Sequence, residues 1–103
     1  MRLSFKRDEK ATGLSSIASP FRGSSIKRNG NAVGRIRPPH WRTARIYWTV
    51  ALRIKKTPTT QDPCEWGWII HPGEHASDEK AREWVKSNWH LINHKYDLAE
   101  EKP

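Results

Sequence analysis

This sequence of 103 residues lacks several features that would assign a protein class. Its single cysteine, Cys64, excludes both an internal disulfide and a four-thiolate zinc site. No segment approaches the roughly 18 consecutive apolar residues of a bilayer-spanning helix, so we expect no membrane partner. The glycines are scattered, and none forms a phosphate-binding loop. If so short a chain formed two domains, each hydrophobic core would be too small to keep its domain folded. We therefore expect one cytoplasmic domain.

Catalytic and metal-binding patterns are also scarce. Cys64 has His71 downstream, but no helix N-terminus precedes it to lower its pKa, and a small half-buried thiol is the ordinary interpretation. His90 and His94 have the i, i+4 spacing of metal ligands, yet a straight helix places His94 roughly 25 Å from His75. We expect no enzyme activity, no catalytic residue, no metal and no cofactor.

What the chain does have is basic charge, concentrated in one half. The net charge is +8, with +12 in residues 1–56 and −4 in residues 57–103. Such asymmetry predicts a surface that faces a polyanion and an acidic flank that shields it or contacts something else. The alternative is an ordinary soluble domain with polarised charge.

The first half of the chain predicts short strands. Residues 2–6 alternate, with Leu3 and Phe5 on one side. We expect residues 11–25 to form a long loop or arm. The alternative for this basic, Ser-rich N-terminus is a transit peptide, and Asp8 and Glu9 argue against it. Asn29-Gly30, between strands at 24–28 and 32–37, is typical of a type I′ hairpin turn. Pro38-Pro39 should end the second of these strands.

Two further strands follow a connecting loop at residues 40–44. Strict alternation over residues 45–56 places one set of apolar side chains in a core and a basic set in water. The core set is Ile46, Trp48, Val50, Leu52 and Ile54. A loop at 57–63 precedes a strand at 65–71, which Pro72-Gly73 should end. We expect Trp66 and Trp68 of that strand to join the core.

The last element is an amphipathic helix. Ser77 is a natural N-cap, and Asp78 and Glu79 suit the positive end of the helix dipole. An apolar stripe at i, i+3, i+4 spacing then faces the sheet. Its members are Ala81, Trp84, Val85, Asn88, Trp89, Ile92 and Tyr96.

These elements predict an α+β fold, with a small antiparallel sheet of four to five strands and one C-terminal helix packed on one face. Residues 1–23 form a short strand and a loop or arm, residues 24–98 the β-β-β-β-α domain, and residues 99–103 a polar tail. One helix leaves the other sheet face uncovered. Arginine matches phosphate oxygens, and an aromatic side chain can stack on a base, so that face and its hairpin are the candidate nucleic-acid site. The candidate residues are Lys27, Arg28, Arg35, Arg37, Trp41, Arg42, Arg45, Tyr47, Arg53 and Lys55. A solvated sheet face whose charges guard against aggregation is the alternative.

Two resemblances bear on this interpretation. The first resemblance is one of topology and covers residues 24–93, where three strands precede a helix introduced by residues 75–81. This arrangement is similar to the arm-binding domains of tyrosine recombinases, which hold a three-stranded sheet against DNA. Four short segments resemble small proteins of phages, prophages and plasmids. They are the opening Met-Arg-Leu-Ser-Phe-Lys-Arg-Asp, Ala-Thr-Gly-Leu at 11–14, Trp-Thr-Val at 48–50 and Ala-Arg-Glu-Trp at 81–84. That resemblance implies a mobile element.

We therefore expect a small basic accessory protein that binds nucleic acid, with DNA favoured over RNA, as a monomer or homodimer. The alternative is a protein-binding inhibitor or adaptor. Its basic surface would occupy a nucleic-acid groove on a host enzyme, or its acidic helix face and tail would mimic nucleic acid. The residues of that acidic surface are Glu79, Glu83, Glu100 and Glu101.

Overall fold

Within the part of the chain that the structure describes, five antiparallel strands pair in sequence order. They are β1 (Leu3–Arg7), β2 (Ser24–Arg28), β3 (Asn31–Arg37), β4 (Trp48–Lys55) and β5 (Trp66–His75), followed by the helix α1 (Asp78–Lys95). The computed structural model describes residues 2–8, 22–39 and 47–101. The predicted α+β fold, an antiparallel sheet with one C-terminal helix packed against it, is confirmed.

The β2–β3 hairpin turns at the predicted residues. Asn29 and Gly30 have φ values of 53° and 85°, the left-handed conformations that a type I′ turn requires. The register shifts within this pair, because Ile26 lies opposite Gly34 while the next residue lies opposite Ala32. Val33 is therefore the extra residue of a bulge, and it is fully buried. β3 ends directly before Pro38-Pro39, as the proline pair predicts.

The core lies between the sheet and α1. Alternate residues of β4 enter it, as predicted: Trp48, Val50 and Leu52 are buried, and Ile54 packs beside them. Ile46, the fifth residue of the predicted core set, lies outside the described residues. The predicted helix stripe is also confirmed, with Ala81, Val85 and Ile92 buried. The other members of the cluster are Ile26, Val33, Ile36 and Leu98, with Leu3, Phe5, Ile69, Trp84, Trp89 and Tyr96 partly buried around them. We call the sheet surface under α1 the helix face.

The start of α1 is held to the sheet by a buried carboxylate. Ser77 caps the helix, accepting a 3.0 Å hydrogen bond from the backbone N of Lys80. Asp78 is nearly buried and accepts a 2.8 Å hydrogen bond from Ser24 Oγ. Arg82 Nε lies 2.8 Å from the same carboxylate and Arg7 Nη2 lies 3.3 Å from it. Asp78 therefore joins α1 to β1 and β2 as well as matching the helix dipole.

β5 is longer than predicted. We expected it to end at Pro72-Gly73, but it continues to His75. The prediction was wrong because β5 is the last strand of the sheet, and an edge strand tolerates a proline that donates no ladder hydrogen bond. The register with β4 shifts between Trp48 and Val50, which pair with His75 and His71, so the extra residues are absorbed there.

The chain after α1 returns to the sheet. Residues 97–101 lie between the diverging ends of β3 and β4. The N of Ala99 donates to Arg53 O over 2.9 Å, and the N of Glu101 donates to Ala32 O over 2.7 Å. Leu98 forms a bridge with Ile54 and is fully buried. We expected a polar tail from residue 99, but Ala99 is buried too.

In the described part of the chain, no helix combines the length and the apolar character needed to cross a membrane.

Candidate nucleic-acid interface

The sheet surface opposite α1 is basic and aromatic, and we call it the outer face. Side chains of directly opposed residues share a face, so the strand registers identify its members. At the paired positions of the five described strands, the outer face has six basic residues and no acidic one. The basic residues are Lys6, Lys27, Arg35, Arg37, Arg53 and Lys55. Asp8, Glu101 and Asp97, which lie outside the paired strand positions, form ion pairs with Arg35, Arg53 and Lys55. The six cations still outnumber these three acids, so the field over this surface favours an anion.

Trp66 and Trp68 lie on the outer face, which corrects the prediction that they join the core. Lys55 is opposite Trp66, and Arg53 is opposite Trp68. Trp68 is 41% exposed, and Trp66 is half-buried. β5 instead directs Ile69 to the helix face, where it packs against the core. The sequence correctly predicted that the two Trp residues share one face, but it predicted the wrong face.

Trp68 stands beside two guanidinium groups. The Cζ of Arg37 is 5.9 Å from the centroid of the Trp68 ring, and the Cζ of Arg53 is 6.0 Å from it. Between these side chains the sheet has only small residues on this face, Thr49 and Ala51. Ala51 is nonetheless fully buried, because the larger neighbours cover it. The result is an aromatic ring and cationic groups on the same surface.

Arg53 is largely occupied by contacts within the protein. Its Cζ lies 3.7 Å from the centroid of the Trp66 ring, and its Nε donates a 3.1 Å hydrogen bond to Ala99 O. Glu101 lies 3.8 Å away, and the Arg53 side chain is only 11% exposed. Arg53 therefore adds positive charge to the outer face and orients Trp66, while it has little surface left to contact a phosphate.

The other predicted strand residues differ in their partners. Arg35 forms an ion pair with Asp8, and Lys55 forms an exposed one with Asp97 at 3.7 Å. Lys27 and Arg37 take part in none of the ion pairs found within residues 2–8, 22–39 and 47–101. Among the residues predicted from the sequence, these two cations are the best placed to meet an incoming anion.

Arg28 is separate from the other candidates, because it lies on the helix face. Its Nε donates a 3.0 Å hydrogen bond to Glu100, and its Nη1 donates one to Asn93 on α1. The hydrogen bonds from Arg28 and Asn31 lower the pKa of the Glu100 carboxyl below its ordinary value. Arg28 thus anchors the chain after α1.

The remaining candidates are only partly placed. Tyr47 is exposed and directly precedes β4. Trp41, Arg42 and Arg45 lie outside the described residues.

A groove of about 400 Å³ lies beside Trp66 at one end of the outer face. Its cationic lining is Arg53, Lys55 and Lys56, and Glu65 and Glu100 also line it. Lys56 is hydrogen-bonded to Asp62, and this contact raises the pKa of Lys56 and lowers that of Asp62. The groove is open and of mixed charge, which suits a polar ligand held partly in solvent.

The histidines form no metal site in the described residues, where no group of three or more His, Cys, Asp or Glu side chains could hold an ion. His71 and His75 lie against Trp84 on the helix face, with ring centroids 4.1 Å and 5.6 Å from it. Burial lowers the pKa of both imidazoles, and the charges of His75 and Lys95 lower that of His71 further. His90 and His94 are exposed on α1.

Cys64 is exposed, which corrects the prediction of a half-buried thiol.

The candidate site residue that the sequence did not reveal is Trp68. Both faces of β5 carry large apolar side chains, so alternation by itself cannot identify the core side. The core side of β5 is instead indicated by the loop between β4 and β5, which is closed by a backbone hydrogen bond from Lys56 N to Glu65 O. That pairing sets the register in which both Trp residues face outward.

Comparisons with protein-family models, with curated proteins and with solved structures found no match.

Proposed function

We propose that this protein binds nucleic acid through its outer face, as an accessory protein of a mobile element. The observation that carries the proposal is Trp68, an exposed ring with Arg37 5.9 Å from its centroid on an otherwise basic face. Aromatic rings supply base stacking and guanidinium groups supply phosphate contacts. The mobile-element context rests on the resemblances in the sequence.

The charge distribution supports the same proposal. Lys6, Lys27 and Arg37 share this face with no ion-pair partner among the described residues, while most acidic side chains of the second half lie on α1, on loops or after α1. A polyanion that meets these cations releases counterions, so binding should weaken steeply as salt rises.

The test compares two double variants that remove the same charge. Lys27→Glu/Arg37→Glu alters the outer face, and Lys80→Glu/Lys86→Glu alters exposed positions on α1. Fluorescence anisotropy with labelled DNA and RNA oligonucleotides, from about 50 mM salt upwards, measures each affinity. We expect the outer-face variant to lose about tenfold or more and the α1 variant to lose much less. Equal losses would mean that only net charge matters, and absence of binding to both polymers at low salt would refute the proposal.

A protein-binding inhibitor is the second candidate, and Ile70 favours it. This side chain is 47% exposed next to Trp68 on the outer face, and an aliphatic group stacks on a base less favourably than an aromatic ring does. A tagged protein mixed with a nuclease-treated host lysate distinguishes the two functions. An inhibitor retains a stoichiometric partner after nuclease treatment, and an Ile70→Ser variant loses it. A nucleic-acid-binding protein retains no such partner.

A further inference from the structure

We infer that the ligand is a single strand, with one unpaired base stacked on Trp68. This inference rests on the proposed function and names its substrate class. It follows from which aromatic surface is free, from the shape of the outer face and from the placement of the cations.

Trp68, rather than Trp66, offers the free ring surface. The two rings meet edge to face, with centroids 5.3 Å apart and planes at 83°. The Arg53 guanidinium lies 3.7 Å from the centroid of Trp66 and covers that ring. The nearest guanidinium groups to Trp68 are about 6 Å from its centroid, and the ring is 41% exposed. One base can therefore stack on the Trp68 ring, while the Trp66 ring packs against Trp68 from the side.

The outer face is unsuited to reading a duplex. The faces of paired bases are stacked inside a duplex, so an exposed indole would have no base surface to contact. Groove recognition uses a helix or a β-ribbon that enters the groove, whereas α1 packs on the opposite side of the sheet and Trp68 lies on the edge strand β5, away from the β2–β3 hairpin. At the centre of the outer face, the small residues Thr49 and Ala51 provide no long side chain that could enter a groove. A sheet surface with one free ring fits a strand whose bases are splayed out.

The cations lie on either side of this ring. Arg37 is on the β3 side of Trp68, and Lys55 is opposite Trp66 at the end that leads to the 400 Å³ groove. Side chains at positions 66 and 68 are about 7 Å apart along β5. A strand that stacks one base on Trp68 can thus place one phosphate near Arg37 and continue past Trp66 towards Lys55.

The experiment measures the affinity for one labelled oligonucleotide as a single strand and as a duplex with its complement. We expect the single strand to bind at least tenfold more tightly. The variants are Trp68→Ala, Trp68→Phe and the control Leu91→Ala, which removes an exposed apolar side chain from α1. We expect Trp68→Ala to weaken single-strand binding by about 5- to 150-fold, Trp68→Phe to retain most of it and Leu91→Ala to leave it unchanged. Circular dichroism confirms that each variant is folded.

The outcomes separate this inference from the function on which it rests. Equal or tighter binding of the duplex overturns the inference and leaves the proposed nucleic-acid binding intact. Single-strand binding that survives in Trp68→Ala overturns the assignment of the stacking residue. Absence of binding to either form removes the proposed function and the inference together.

Discussion

The guanidinium of Arg53 on β4 lies 3.7 Å from the centroid of the Trp66 ring on β5. The same side chain donates a hydrogen bond to Ala99 O in the segment that follows α1. A planar cation that stacks and donates in this way links three parts of the chain. Arg53 therefore stabilises the edge of the sheet that presents Trp66 and Trp68.

Arg53→Lys should lower the free energy of unfolding by about 1 kcal/mol, because an ammonium group cannot stack and donate in the same plane. Urea denaturation measures the change. Arg37→Lys is the matched control, since Arg37 has no ion pair among the described residues, and it should change stability by less than about 0.5 kcal/mol. Equal effects of the two substitutions would contradict the structural role of Arg53.

Asp97→Asn should strengthen nucleic-acid binding about two- to fivefold, because it releases Lys55 from an exposed ion pair at 3.7 Å. Anisotropy at low salt measures the affinity. Glu83→Gln makes the same charge change next to Lys80 on α1 and should have a smaller effect. If both variants strengthen binding equally, the gain comes from net charge and not from Lys55.

Stability should fall as the pH drops from about 7 to 5, because of His71 and His75. Burial lowers both pKa values in the folded state, below the roughly 6.5 of an exposed histidine. The unfolded chain therefore takes up these protons at higher pH than the folded chain does. The stabilisation is fully present above about pH 6.5 and is lost as the pH falls through the unfolded and then the folded pKa.

Urea denaturation across this pH range tests the assignment. His71→Gln/His75→Gln should flatten the pH dependence, and the exposed pair His90→Gln/His94→Gln should leave it unchanged. A slope that persists in the first variant would assign the effect to other groups.

Gly34→Ala should destabilise the protein by about 1–3 kcal/mol. A Cβ at this position would lie 2.6 Å from the backbone oxygen of Ala51 and close to Leu52 and Ile26, and the backbone of β4 cannot move away cheaply. Gly67→Ala is the control, because its Cβ would meet only Lys56 at ordinary contact distances. Thermal or urea denaturation should show that variant within about 0.5 kcal/mol of the parent chain. A Gly34→Ala protein of unchanged stability would show that the sheet opens readily here.

The candidate site was only partly predictable from the sequence. Alternation along the long strand correctly assigned Arg53 and Lys55 to the outer face, because that pattern is a property of the strand itself. It could not show that Arg53 is covered by Trp66 and residues 97–101, nor that Arg28 turns to Glu100. Both facts depend on segments that are far apart in the chain.

Local chemistry in the sequence by itself determined the elements and the fold class. Asn29-Gly30 specifies its own turn, Ser77 caps its own helix, and the β4 alternation and the α1 stripe each identify one apolar side. Only the tertiary structure decided which side of β5 meets the core, because Ile69 and Trp68 are both suited to burial and the register with β4 selects between them. The same pairing carries β5 past Pro72 at the sheet edge. The aromatic part of the proposed binding surface therefore results from strand register, and its charge from composition.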